Sequence, residues 1–286
     1  MPSRGTGRTE VPRGFLPALD ITGRQSEVRQ DHTHLTLPVL DTARLSSRPM
    51  NREYHRWHSE RLHRDMELLL YGHSGEPVLL LPTSRGRFFQ AEDFGLIGAI
   101  ADRVQSGRYV IVCPDSVDDE SWFNKSVHPH DRVARHQEWE QYLLNEVVPL
   151  LMSRSTGGRL TLAGCSFGGF HTYNVGLRHP HVFRRLISMG GKFETDEFLD
   201  GHQDHDVYFH SATQWLPNVH DNSQLAALQR VEMVLAVGEH DFCRPSNEHL
   251  SSLLWKKDIG NQLAIWQGGN HDWPVWREMI QQYLPW

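Results

Sequence analysis

The chain has 286 residues, with 29 Lys and Arg against 35 Asp and Glu, for a formal net charge of −6. That balance argues against a nucleic-acid binder, which would carry a basic stripe, and no run approaches the ~18–20 consecutive apolar residues of a membrane span. Three cysteines, Cys113, Cys165 and Cys243, are too few and too scattered for a disulfide framework, and each is expected to pack as a small thiol.

Residues 1–50 are rich in Arg, Pro, Gly, Ser and Thr and show little periodicity. They read as a poorly ordered N-terminal extension, with one domain over 51–286. Met50 is an alternative start. The N-terminus lacks a basic start, an apolar stretch and a small-residue cleavage site, so a cytoplasmic location is expected. The structured pattern begins with Asp65–Tyr71 as a strand and a turn at Gly72–Gly75. Pro77–Pro82 is a continuous apolar run, as in a strand buried on both faces. Phe94 to Val104 has helical spacing, and Arg108–Cys113 is the next buried strand. Residues 131–152 repeat apolar side chains at helical steps, with Pro149 expected to kink or end the helix. Further strands follow at Arg159–Ala163, Arg185–Met189, 231–237 and 262–266. A helix follows Ser166, and closing helices span Ser246–Trp255 and Trp273–Tyr283. Residues 192–222 lack strand character and read as a short cap carrying Phe193, Phe198, Tyr208, Phe209 and Trp215. Strands alternating with helices predict an α/β fold with a mostly parallel sheet and helices on both faces.

Gly164-Cys165-Ser166-Phe167-Gly168 follows an apolar strand and opens a helix-compatible stretch. This G-x-S-x-G pattern holds a serine on a sharp strand-to-helix turn. A serine hydroxyl needs a base, and the base an orienting acid. His271, in a glycine-containing loop past the last strand, is the expected base. Asp241, just past the strand before it, is the expected acid. Glu239, Asp204 and Asp206 are alternatives for that acid, and Asp272 is expected to cap the last helix. Ser166, Asp241 and His271 each fall just past a strand end, where open α/β sheets bind ligands. The oxyanion requires two N–H donors. Phe167 is expected to supply one and Ser84 the other, with Arg85 as the alternative. Trp122 and Phe123 reach the same edge and are expected to wall the substrate pocket.

The 19 histidines include clusters at 32–34, 128–130 and 202–205, but none has zinc-ligand spacing. No metal and no cofactor are therefore expected. His171, on the helix after Ser166, reads as a packing residue or one standing behind the site.

Leu80-Leu81-Pro82-Thr83-Ser84, Gly164-Cys165-Ser166-Phe167-Gly168-Gly169, Gly238-Glu239-His240-Asp241 and the run Gly269–Trp276 carry a family resemblance. Over roughly residues 52–286 the chain resembles the esterase family of α/β-hydrolases, which includes esterase D, S-formylglutathione hydrolase, feruloyl-esterase domains and the antigen 85 mycolyltransferases. The resemblance implies a carboxylic-ester hydrolase with catalytic Ser166, Asp241 and His271, and Ser84 as an oxyanion donor. Pro82-Thr83 stands where the family often has a residue–glycine pair, a departure that bears on the second donor. The implied substrate is a small soluble ester, and the implied partners include neither nucleic acid nor membrane. Hydrolysis, acyl transfer and a non-catalytic binding role on the same scaffold remain open, as do monomer and homodimer.

Overall fold

The computed structural model describes residues 50–286. The expectation of a loose extension over residues 1–49 lies outside the described residues. In chain order the elements are β1 (Arg52–Ser59), β2 (Arg64–Tyr71), β3 (Glu76–Leu81), α1 (Gln90–Asp93), α2 (Ala101–Gln105), β4 (Tyr109–Pro114), α3 (Pro129–Tyr142), α4 (Val148–Arg154), β5 (Leu160–Cys165) and α5 (Phe167–Arg178). They continue with β6 (Phe183–Met189), α6 (Asp196–Leu199), α7 (His205–Phe209), α8 (Ala212–Trp215), α9 (Asn222–Leu228), β7 (Glu232–Gly238), α10 (Arg244–Trp255), β8 (Gln262–Trp266) and α11 (Trp273–Tyr283).

One eight-stranded sheet has the order β1-β2-β4-β3-β5-β6-β7-β8. β3 to β8 run parallel, while β1 and β2 are antiparallel additions at one edge. The mostly parallel sheet expected from the sequence is therefore present. Its strands feed two cores because successive side chains leave on opposite faces. Met66, Leu68 and Leu70 of β2 pack with Leu79, Leu81, Val110 and Val112 on one face. Leu69 and Tyr71 pack with Val78, Leu80, Tyr109 and Ile111 on the other. Burial on both faces is why β3, β4 and β5 read as unbroken apolar runs.

Three local expectations are corrected. β1 has no apolar run, because it is an edge strand that alternates half-buried and exposed side chains. Its Trp57 donates its indole N–H to Glu146 at 2.6 Å, pinning the edge to the helical layer. The helix expected over 94–104 begins only at a 3-10 turn over Gly98–Ile100 and continues as α2, while α1 ends before it and Gly95 takes φ +74° between them. Pro149 does not end the 131–152 helix. The path continues from α3 through a π-type turn at Leu143–Val147, which places Pro149 in the first turn of α4. The helical path runs on across this junction, and the wider π-type turn just before the proline accommodates its ring and its missing N–H. Residues 192–222 form three short helices and a 3-10 turn, with Phe193 and Trp215 buried. Among the described residues no helix is long and apolar enough to cross a membrane.

Candidate active site

The carboxyl ends of β3, β4, β5, β7 and β8 deliver Ser84, Asp118, Ser166, Asp241 and His271 to one edge of the sheet. Ser166 sits between β5 and α5 with φ 53° and ψ −121°, a conformation strained for a residue with a Cβ. The strain is held by packing. A Cβ on Gly168 would lie 2.5 Å from the Pro82 carbonyl oxygen and 2.6 Å from that of Leu81, so only glycine lets α5 press against the end of β3. The Ser166 N–H donates to the Met189 carbonyl at 2.9 Å, tying the turn to β6.

His271 Nε2 lies 2.9 Å from Ser166 Oγ, and its Nδ1 lies 2.9 Å from both carboxylate oxygens of Asp241. The Asp241 side chain is fully buried and also accepts the Cys243 N–H at 2.7 Å. A buried carboxylate with these donors on one side is well placed to orient the imidazole. Phe242 packs at 4.4 Å from the His271 ring and Trp276 stands edge-on at 4.9 Å, so two aromatic rings restrict it.

The alternative acids are engaged elsewhere. Glu239 accepts the Gly268 N–H at 2.9 Å. Asp204 caps α7 through the Val207 N–H and bonds His202 and His130. Against the burial that would raise it, those three donors hold its carboxyl well below the usual carboxylate range. Asp206 lies in the first turn of the same helix. Asp272 accepts the Val275 N–H and caps α11, as the sequence predicts.

Neither the Phe167 N–H nor the Ser84 N–H has an acceptor among the described residues. The Arg85 N–H is committed to Asp118 Oδ2 at 2.9 Å, which removes it as a free oxyanion donor. Ser84 lies in a tight turn closed by Gly86 N–H to Thr83 carbonyl at 2.8 Å.

Beside Ser166 opens a pocket of about 420 Å³ lined by Ser84, Arg85, Phe123, Phe167, Phe198 and Phe242, with Lys125 and Lys192 at its margin. Phe123 lines this cavity. Trp122 does not. It is fully buried, packed edge-on against Phe170 and Phe198, and backs the wall from below. Phe198, read from the sequence only as part of the short cap, and Phe242, next to the expected acid, also line the cavity, because packing and not local sequence sets where each ring points. Burial pushes the thiols of Cys113, Cys165 and Cys243 up, so they stay protonated.

Among the described residues, two side-chain groups away from Ser166 combine metal-ligand types. His130, His202 and Asp204 lie near the surface, already joined by hydrogen bonds. His136, Glu140 and His210 are buried, but the Glu140 carboxylate is taken by Arg178 and His179.

Residues 59–286 match the family model described as "Putative esterase". Among curated proteins no sequence match is found. Among solved structures, the chain is similar to a ferulic acid esterase at 19% identity and TM-score 0.67, covering 82% of this chain and 96% of that one. It is also similar to an S-formylglutathione hydrolase from Agrobacterium tumefaciens, at 16% identity and TM-score 0.64, covering 82% and 96%. An S-formylglutathione hydrolase from Staphylococcus aureus matches at 18% identity and TM-score 0.61, covering 83% and 96%. These likenesses establish the α/β-hydrolase fold.

Proposed function

This chain belongs to that esterase family, and from that premise we propose that it hydrolyses a small carboxylic ester through a Ser166–His271–Asp241 triad and an acyl-enzyme. The observation that carries the reading is the continuous hydrogen-bond line from Ser166 Oγ through His271 to the buried Asp241 carboxylate, each link at 2.9 Å. His271 Nε2 takes the Ser166 proton as Oγ attacks the ester carbonyl carbon. Asp241 holds the proton on Nδ1 and stabilises the imidazolium that forms. The tetrahedral oxyanion accepts from the Phe167 and Ser84 N–H groups, which are fixed by backbone and need no reorganisation. The C–O bond to the alcohol then breaks, His271 returns the proton to the leaving alkoxide, and the alcohol departs. Water, deprotonated by the same imidazole, hydrolyses the acyl-serine and regenerates the enzyme.

A pocket of about 420 Å³ with phenylalanine walls suits an acyl or alcohol group of modest size. The test is hydrolysis of p-nitrophenyl esters of increasing acyl length by wild type and Ser166→Ala. Turnover by wild type alone supports the serine mechanism, and the chain-length optimum sizes the pocket. Equal turnover by both proteins refutes it.

A further inference from the structure

Asp118 is a carboxylate that the triad does not use, yet it is buried at the same sheet edge. It lies in the loop after β4. In the sheet β4 neighbours β3, and β3 neighbours the nucleophile strand β5. Asp118 thus stands beyond the loop that carries Ser84, on the side opposite Ser166 in strand order. Its two oxygens are divided. Oδ2 accepts the Arg85 N–H at 2.9 Å. Oδ1 accepts from His171 Nε2 at 3.0 Å, and His171 belongs to the nucleophile helix α5, five residues past Ser166. The Asp118 backbone carbonyl adds a third link, accepting the Phe123 N–H of the pocket wall at 3.0 Å.

Resting on the triad reading above, we infer that Asp118 is a positioning residue that sets the oxyanion hole by locking the Ser84–Arg85 turn to the nucleophile helix through His171. Arg85 takes φ 56°, which a residue with a Cβ adopts only under constraint. The Asp118 bond supplies that constraint, and the orientation of the peptide following Ser84 goes with it. A charged acceptor makes a strong hydrogen bond, and burial protects it from competition by water. The two N–H groups proposed to hold the oxyanion belong to separate segments, β3–loop and α5. Their separation must be fixed to a few tenths of an ångström for both to reach one oxygen. One carboxylate bonded to both segments does this directly. His171 is itself held, its ring stacked on His136 at 5.1 Å and edge-on to Phe167 at 4.6 Å.

The experiment compares Asp118→Ala, Asp118→Asn and His171→Phe with wild type, expressing kcat per site titrated with a fluorophosphonate. Asp118→Ala severs both side-chain links and is expected to lower kcat per titrated site by about 10²-fold with KM within about 3-fold, the size of losing one oxyanion donor. Asp118→Asn keeps an oxygen for the Arg85 N–H and is expected to recover to within about 10-fold of wild type. His171→Phe keeps ring volume and cuts only the helix link, with an expected kcat loss of about 10-fold, so the test stands even where Asp118→Ala does not fold. A purely structural role would lower the number of titrated sites and the melting temperature but leave kcat per site intact. Wild-type kcat per site in both Asp118→Ala and His171→Phe, or in His171→Phe alone where Asp118→Ala is unfolded, overturns the inference. Full activity of Ser166→Ala, or no labelling of Ser166 in wild type, overturns the triad reading instead.

Discussion

Gly190 lies beside Asp241 and His271, and adding one methyl group there should disable the proposed triad without substituting any of its residues. Its φ is +69°, and a Cβ at this position would lie 2.7 Å from Asp241 Oδ2, 3.2 Å from Trp276 Nε1 and 3.3 Å from His271 Nδ1. Restoring ordinary contact between that Cβ and Oδ2 takes a displacement of about 0.7 Å. The His271 Nδ1 to Oδ2 distance is 2.9 Å, so a shift of this size along the bond breaks it. Asp241 is buried and also bonded to the Cys243 N–H, so it cannot swing away freely. A misplacement on the scale of 1 Å costs about 10²-fold in rate. The left-handed backbone adds a penalty of about 1–2 kcal/mol for a residue with a Cβ, or a melting-temperature loss of roughly 2–8 °C at this chain length. The assay is p-nitrophenyl acetate hydrolysis by Gly190→Ala, with kcat, KM and thermal melting measured on the same preparation. The expected result is kcat reduced about 10²-fold, KM nearly unchanged and a folded protein. Wild-type kcat in a folded variant would refute the argument that Gly190 sets the Asp241–His271 geometry.

Asp241→Asn is expected to lower kcat by about 10⁴-fold by favouring the wrong imidazole tautomer, while Glu239→Gln, which changes only a cap on the Gly268 N–H, stays within about 3-fold; steady-state kinetics on both variants decides the acid, and the reverse ranking reassigns it. Ser166→Gly and Ser166→Ala are both expected to be inactive, but the glycine variant relieves a strained φ of 53° and should melt no lower than the alanine variant, by scanning calorimetry. Burial, aided by the neighbouring histidines and Arg178, pushes His136 and His210 well below their ordinary value of 6.5. The unfolded chain takes up those protons where the folded protein resists them, so stability is full above about pH 6.5 and declines as pH falls below it. Each histidine costs roughly 1 kcal/mol per pH unit in that range. Urea midpoints from pH 7.5 to 5 should therefore fall less steeply for His136→Phe than for wild type; an unchanged slope would show that His136 takes up no extra proton on unfolding.

The order of Ser166, Asp241 and His271 along the chain, and their places just past apolar strands, were readable because strand ends in a parallel sheet share one edge. The buried strands were equally readable, since burial on both faces leaves continuous apolar runs. β1 was not, because an edge strand packs one face and keeps polar residues on the other. Local sequence favoured Asp241 over Glu239, two residues earlier on the same turn, only by its distance past the strand. Geometry separates them, sending one carboxylate to His271 and the other to a loop N–H. Trp122 and Phe123 looked equivalent as neighbours, yet one ring points into the core and the other into the pocket. The bond from Asp118 to His171 spans 53 positions and carries no motif. The sequence by itself determined the sheet, the sharp turn at Ser166 and the order of Ser166, Asp241 and His271 past their strands, because these rest on local periodicity and turn chemistry. Which carboxylate meets His271, which aromatic lines the pocket beside Ser166 and which helix side chain Asp118 bonds were decided only by tertiary packing, which joins residues far apart in the chain.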